Sequence, residues 1–214
     1  MKLYSYFRSS AAYRVRIALN IKGLSYDYAP IHLLRDGGEQ LKPDYRALSP
    51  DGIVPTLIDG DHVINQSLAI IEYLEETHPE PALLPGTPAD RAFIRAIALQ
   101  VACEIHPLNN TRVLQYLTTE VKLDDAAKNA WYARWVESGL DALERRLERD
   151  PRVGTLCFGD SPTLADLCLV PQVFNARRFN VDVSRYPTIE RVADYAATLD
   201  AFLRAAPAQQ PDAE

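Results

Sequence analysis

The chain has 214 residues, is 47% hydrophobic and carries a formal net charge of −6. That length and composition allow one large domain or two small ones with a real core. The charge excludes the basic footprint of a nucleic-acid binder, and no apolar run reaches the roughly 18 residues of a membrane helix. No basic segment followed by an apolar one opens the chain, so no secretory signal is expected. Cys103, Cys157 and Cys168 are odd in number and lack metal or redox spacing. They read as reduced thiols of a cytoplasmic protein without a metal site.

The first 80 or so residues alternate strand and helix. A strand is predicted over Lys2 to Phe7, then a helix from about Ser10 to Lys22 that stops at Gly23. Val15, Ala18 and Leu19 share one helix face, and Ile17 and Ile21 widen it, so cover on more than one side is expected. A second strand covers Ser25 to His32, and a short helix runs from about Glu39 to Leu48. Two apolar runs, Val54 to Ile58 and His62 to Asn65, flank Asp59-Gly60-Asp61, which is a hairpin signal. Ser67 then caps a helix with Leu68, Ile71 and Leu74 inward and Glu72, Glu75 and Glu76 outward. The order is a βαβ unit, a short helix and a ββα unit, the thioredoxin-like layout. Pro79, Pro81, Pro85 and Pro88 mark a linker. Beyond about Ala89 the pattern is helical: Val136, Leu140, Leu143 and Leu147 recur at helical spacing. Thr163-Leu164-Ala165-Asp166 has the form of a capping box before an apolar helix, Leu164 to Val173. The expected division is residues 1–80, an all-helical 89–206, and a disordered tail from Pro207.

The most informative stretch is Ser9-Ser10 with Arg14-Val15-Arg16. Two hydroxyls stand where a helix begins, beside exposed backbone N–H groups and the positive end of the helix dipole. Such a place suits an anion, a thiolate included. The plain structural alternative is that one serine merely caps the helix.

With these pieces in hand the chain resembles a glutathione transferase, and within that superfamily it is similar to the zeta class of maleylacetoacetate and maleylpyruvate isomerases. The residues that carry the resemblance span nearly the whole chain. They include Tyr4 to Ser10, Arg14 to Leu19, Asp36-Gly37-Gly38 with Gln40, Val54-Pro55-Thr56-Leu57, Gln66 to Leu74, Asp166 to Val173, Arg178-Phe179 and Val181-Asp182. The zeta motif places a cysteine directly after the serine pair, and Ala11 stands there instead. A mechanism needing that cysteine is excluded, whereas one in which glutathione brings its own sulfur survives.

The resemblance implies a cofactor, glutathione, and a role for each of several residues. Ser9, with Ser10 beside it, stabilises the thiolate. Lowering a thiol pKa from about 8.5 to below 7 needs about 2–3 kcal/mol. A helix N-terminus gives about 0.3–1 kcal/mol and a hydroxyl donating to a charged acceptor about 1.5–3 kcal/mol, so together they suffice. A cis Pro55 leaves the backbone of Val54 to pair with the cysteinyl unit of the tripeptide. Gln66 and Ser67 hold the γ-glutamyl carboxylate, Gln40 reaches the glycyl end, and His106 touches glutathione or moves a proton. Arg8 and Arg178 lie at the mouth of the cleft and hold carboxylates of a small-molecule substrate, with Arg112 a further candidate. Taken without the resemblance, each has a plain alternative. Pro55 could open a strand, Ser67 could be a cap, His106 a satisfied histidine beside a proline, and each arginine a solvated charge.

The implied activity is glutathione-dependent cis–trans isomerisation of a maleyl-type keto diacid by a homodimer. Two other readings stand beside it. One is a general zeta-class transferase or peroxidase that consumes glutathione. The other is a non-catalytic module using the same fold for assembly.

Overall fold

The structure, a computed structural model, describes residues 1–214. Two compact units emerge: Met1–Leu83 together with Thr198–Glu214, and Leu84–Ala197.

The first unit is built on a four-stranded sheet of order β2-β1-β3-β4. Strand β1 (Lys2–Ser5) pairs parallel with β2 (Asp27–Pro30) and antiparallel with β3 (Thr56–Asp59), which pairs antiparallel with β4 (His62–Asn65). β1 and β2 are shorter than their apolar runs suggest, because the backbone of Tyr6 and Phe7 leaves the ladder to make the turn into helix α1 (Ser10–Ile21). The β3–β4 hairpin closes through Gly60-Asp61, with Gly60 at φ +55°, as an Asp-Gly turn requires.

Helix α1 is buried from Ala12 to Leu19, the all-round cover that its wide apolar stripe implies. It ends at a left-handed Gly23, where Gly23 N–H and Leu24 N–H donate to the carbonyls of Asn20 and Leu19. The helix expected from Glu39 to Leu48 is broken into a 3₁₀ turn, Glu39–Leu41, and a single α turn, α2 (Pro43–Arg46). Pro43 causes the break, since it has no N–H and restricts the residue before it.

Helix α3 (Ser67–Thr77) corrects three expectations. Ser67 is its first helical residue and not its cap; the cap position is Gln66, at φ +71°. Ile70 joins Ile71 and Leu74 in the core, while Leu68 is only half-buried. Glu75 is not simply outward, because its carboxylate takes the ammonium of Lys22 at 2.6 Å and the N–H of Leu83 at 2.9 Å. The Lys22 side chain is fully buried, so it needs a counter-ion.

The second unit is helical. Helix α4 (Pro88–Leu99) starts from a capping box of Thr87 and Asp90, with Pro88 at its first position, so Pro88 belongs to the helix and not to the linker. It runs into a π-helical segment, Gln100–Ile105, and a 3₁₀ turn, His106–Asn109. Helices α5 (Thr111–Thr119), α6 (Asp125–Leu147), α7 (Leu164–Arg178) and α8 (Pro187–Ala197) complete it. Val136, Leu140, Leu143 and Leu147 of α6 are buried as their spacing predicts. The Asp166 carboxylate accepts from Thr163 N–H at 2.8 Å and from its hydroxyl at 2.9 Å, closing the expected box at the head of α7.

The segment 198–214 departs from the expected helical-domain end and disordered tail. Helix α9 (Asp200–Ala205) lies on α1, where Asn20 Nδ2 donates to Ala201 O at 2.9 Å and Phe202 is fully buried. Further on, Asp212 accepts the hydroxyl of Tyr28 at 2.6 Å and the N–H of Phe7 at 3.1 Å. Phe202 and Ala205 are buried in a helix of only six residues, too short to show an apolar period, and the rest of the segment is held by long-range hydrogen bonds that local pattern does not reveal.

Candidate active site

The register of the sheet brings Ser9, Val54, Pro55, Gln66 and Ser67 to one end. Tyr4 lies opposite Thr56, and Thr56 opposite Asn65. One step beyond that line stand the turn to Ser9, the Val54-Pro55 peptide, and the Gln66-Ser67 entry into α3. Tyr6, Phe7 and Val54 share a buried apolar cluster with Tyr45. The Tyr45 hydroxyl lies 2.9 Å from Thr56 Oγ1, which donates to Asn65 Oδ1 at 2.7 Å, and Asn65 Nδ2 donates to Leu48 O at 3.1 Å. This chain of polar contacts fixes the floor on which the candidate residues stand.

Ser9 is the cap of α1. Its Oγ accepts the N–H of Ala12 at 3.2 Å, and its own N–H donates to Tyr6 O at 2.9 Å. A capping oxygen keeps its hydroxyl proton to donate elsewhere. Ser10, the first helical residue, is buried. The Val54–Pro55 bond is cis. Gln66 holds a left-handed backbone that costs a non-glycine residue about 1 kcal/mol or more, a cost that persists where the surroundings demand that conformation. Ser67 is buried, and its Oγ accepts Arg14 Nη1 at 3.3 Å. Gln40 sits on the 3₁₀ turn over Gly38, where a Cβ would come within 2.6 Å of its amide nitrogen. Its Nε2 donates to Leu33 O at 3.3 Å, and its buried Oε1 has no protein partner.

These groups suit an anionic, extended ligand. Ser9 and Ser67 each stand at the positive end of a helix of 11 or 12 residues. Gln40 adds an amide oxygen that lacks a partner, an acceptor for a peptide N–H of an extended ligand and not for its carboxylate. Two serine hydroxyls at helix N-termini and one free acceptor fit glutathione, an extended peptide with terminal carboxylates, amide N–H groups and a central thiol.

Arg8, half-buried, lies with its guanidinium 4.7 Å from the Phe7 ring centre. The remaining candidates belong to the second unit. Arg178 ends α7, and its guanidinium lies 4.7 Å from the Phe179 ring, which in turn stacks on Tyr132 at 3.9 Å. Burial pushes the Tyr132 hydroxyl well above its ordinary pKa, with the Arg178 charge opposing that shift. The exposed Arg178 thus has an aromatic neighbour that is itself held by a stacked ring. Arg112 is exposed on the first turn of α5, its N–H donating to Asn110 Oδ1 at 3.2 Å. His106 is half-buried, its Nε2 3.4 Å from Asn110 Nδ2. A cavity of about 500 Å³ elsewhere in this unit, lined by residues such as Leu99, Trp135 and Arg146, includes none of the candidates.

The sequence profile of the glutathione S-transferase N-terminal domain matches residues 3–82, and that of the C-terminal domain matches residues 125–208. The chain belongs to the glutathione S-transferase family. It is 52% identical to a probable maleylacetoacetate isomerase of Vibrio cholerae, over 99% of this chain and 97% of that protein. Among solved structures it is similar to the holo form of a maleylpyruvate isomerase, a bacterial glutathione S-transferase in zeta class. There the TM-score is 0.97 with 51% identity, and both chains are covered completely. It is also similar to a maleylacetoacetate isomerase from Methylobacterium extorquens AM1 with bound malonate and glutathione, at TM-score 0.96 and 42% identity with both chains fully covered. Class zeta, as read from the residues, holds on these findings.

Two residues of this transferase were quoted in the sequence only as parts of a motif and prove to organise its first unit. Arg14 is 2% exposed and holds Ser67. Arg16 is 0% exposed. Its Nη2 donates to Phe7 O at 3.0 Å, Nη1 to Ser5 Oγ at 3.1 Å, and Nε to Ala205 O at 3.0 Å. A signal for both was present: two cations inside an otherwise apolar helix stripe must find buried acceptors. The thiols add nothing to the site. Burial, then the nearby Asp166 charge, pushes Cys157 well above the ordinary thiol pKa.

Proposed function

We propose that this chain is a glutathione-dependent cis–trans isomerase of a maleyl-type keto diacid, either maleylacetoacetate or maleylpyruvate, acting in the breakdown of aromatic compounds. The observation that carries the proposal is Ser9, a hydroxyl held as the cap of α1 at the end of the sheet that also bears the cis Val54–Pro55 peptide and Ser67. A relative holding both glutathione and the dicarboxylate malonate supports the pairing of thiol and diacid.

When bound, glutathione supplies a thiolate that adds to the cis double bond, lets it turn as a single bond, and leaves. In this reading Ser9 Oγ donates a hydrogen bond to the thiolate and, with the α1 N-terminus, keeps it ionised near neutral pH. Ser10 stands beside it. Val54 pairs through its backbone with the cysteinyl unit, next to Pro55. Gln66 and Ser67 hold the γ-glutamyl carboxylate, Gln40 the glycyl end, and His106 is a further glutathione contact. Arg8, Arg112 and Arg178 hold substrate carboxylates and stabilise the negative charge that develops on the conjugated carbonyl. Nothing here needs a thiol at position 11, where Ala11 stands.

We also infer a homodimer. The exposed Val63 on the edge strand β4 and the exposed Leu99 on α4 support it as apolar surface that a second copy can cover. Sedimentation at micromolar concentration tests it, and a 24.0 kDa species would refute it. A cytoplasmic setting is supported by three cysteines that form no disulfide. No helix is long and apolar enough to cross a membrane.

The test of function is to assay maleylacetoacetate and maleylpyruvate with and without glutathione. Turnover of one or both only when glutathione is present supports the reading. Turnover of neither, alongside conjugation of small electrophiles, supports a general transferase instead.

A further inference from the structure

The turn that delivers Ser9 is gripped from two sides within the first unit. Arg16 takes its carbonyls: Nη2 donates to Phe7 O at 3.0 Å and Nη1 to Tyr6 O at 3.4 Å. Asp212 takes its N–H: Oδ2 accepts from Phe7 N at 3.1 Å. The other carboxylate oxygen, Oδ1, accepts the Tyr28 hydroxyl at 2.6 Å, and Tyr28 is the neighbour of Leu3 across β1 and β2. Asp212 thus ties the turn to the sheet it has just left. The segment that carries Asp212 is itself fixed, since Gln210 Nε2 donates to Arg204 O and Ala206 O, each at 2.9 Å. Arg16 Nε also reaches this segment, at Ala205 O.

The charges are matched as well as the hydrogen bonds. Arg16 is a fully buried guanidinium whose burial works against its charge. Asp212 is the carboxylate among the groups that oppose that penalty, since burial keeps the neighbouring Tyr13, Tyr26 and Tyr28 hydroxyls protonated and neutral near pH 7. Without the Asp212 carboxylate, Phe7 N–H loses its acceptor and Arg16 loses its carboxylate neighbour. Phe7 lies on the backbone path to Ser9, and Tyr6 O accepts both the Ser9 N–H and Arg16 Nη1. A small shift of this turn moves the Ser9 hydroxyl, and reaction geometry is sensitive to displacements of about 1 Å.

We propose that Asp212 is a positioning residue for the thiol site, acting through the Phe7–Ser9 turn to hold Ser9 Oγ where it can donate to a thiolate. This rests on the reading of Ser9 given above. The alternative is that Asp212 acts only as a charge, and the two make opposite forecasts. A nearby negative charge disfavours a thiolate, so its removal would lower the thiol pKa. Loss of a positioning contact raises that pKa, because the Ser9 hydrogen bond is weakened.

The test uses the full chain with Asp212→Ala, which removes the acceptors of Phe7 N–H and the Tyr28 hydroxyl. In the glutathione-free protein, amide hydrogen exchange at Phe7 and Ser9 is expected to accelerate. Calorimetric affinity for glutathione is expected to fall about five- to tenfold, and the bound thiol pKa, read from thiolate absorbance against pH, to rise. Asp212→Asn, whose amide oxygen still accepts one N–H, is expected to restore part of each. Wild-type exchange and affinity in Asp212→Ala, or a lowered thiol pKa, would overturn the proposal. If Asp212→Ala does not fold, Tyr28→Phe carries the test, with the same directions at smaller amplitude; no change in exchange or affinity there overturns it too. Ser9→Ala separates the two levels. If Ser9→Ala leaves the thiol pKa unchanged, the reading of the site fails. If it raises that pKa while Asp212→Ala does not, only the role of Asp212 fails.

Discussion

Arg14 Nη1 donates to Ser67 Oγ at 3.3 Å, so a buried cation on α1 holds the first residue of α3. The contact joins the beginnings of the two helices whose N-termini are proposed to bind the thiolate and a carboxylate of glutathione. Replacing Arg14 by Met keeps the stem and removes the fork. The expected result is a loss of about 1.5–3 kcal/mol of stability and a rise of roughly tenfold in the KM for glutathione. Arg14→Lys is expected to recover only part, because an ammonium does not reproduce the planar donor set. Denaturant titration and steady-state kinetics on the same preparations check both. An unchanged KM in Arg14→Met would mean that Ser67 keeps its place without the arginine.

Ser9→Ala is expected to lower turnover about ten- to a hundredfold while glutathione still binds, since one charge-assisted hydrogen bond is lost. The variant also loses the cap on Ala12 N–H, which costs about 1 kcal/mol of stability. Ser10→Ala is the control. Full activity in the Ser9,Ser10 double variant would defeat the argument for thiolate stabilisation.

The element order of the first unit was legible because its strands and helix α1 carry clear apolar periodicity and turn signals, Asp59-Gly60 above all. The location of Ser9 at a helix start was legible for the same reason. Boundaries that depend on long-range hydrogen bonding were not. β1 ends at Ser5 because Arg16 and Asp212 draw the Phe7 backbone away from the sheet. Ser67 reads as a cap by composition, yet its hydroxyl serves Arg14, 53 residues away in sequence. Asp212 is invisible to local patterning, since an acidic residue among Pro, Ala and Gln has the composition of a solvated tail. The arginines of the second unit were named through resemblance, and the aromatic support of Arg178 by Phe179 and Tyr132 had no periodic signature.

Lys22 and Glu75 form an ion pair of 2.6 Å in which the lysine side chain is 0% exposed. Lys22 Nζ also donates to Pro81 O at 2.8 Å, so the pair secures the chain as it leaves the first 80 or so residues. Glu75→Gln leaves a buried ammonium without its counter-ion and is expected to cost about 3–5 kcal/mol. The double variant Lys22→Met, Glu75→Gln is expected to recover part of that loss. A double-mutant cycle in urea measures the coupling. A Glu75→Gln protein within about 0.5 kcal/mol of wild type would show that the carbonyls alone satisfy Lys22.

Arg178→Ala is expected to lower kcat/KM for the keto diacid by about 2–3 kcal/mol, the scale of a hydrogen bond to a charged group. Conjugation of a neutral apolar electrophile, where measurable, is expected to change little. Kinetics on both substrate types separate the outcomes. Equal losses on the two would make Arg178 a structural residue whose role is to cover Phe179.

The central claim is that this chain isomerises a maleyl-type keto diacid with glutathione acting as a cofactor. Its most direct measurement is to supply maleylacetoacetate or maleylpyruvate in large excess over glutathione and follow both the trans product and the thiol. The account predicts conversion of many equivalents of substrate per glutathione, with the free thiol recovered at the end. Conversion that stops at one equivalent with the thiol consumed, or no trans product from either substrate, would contradict it.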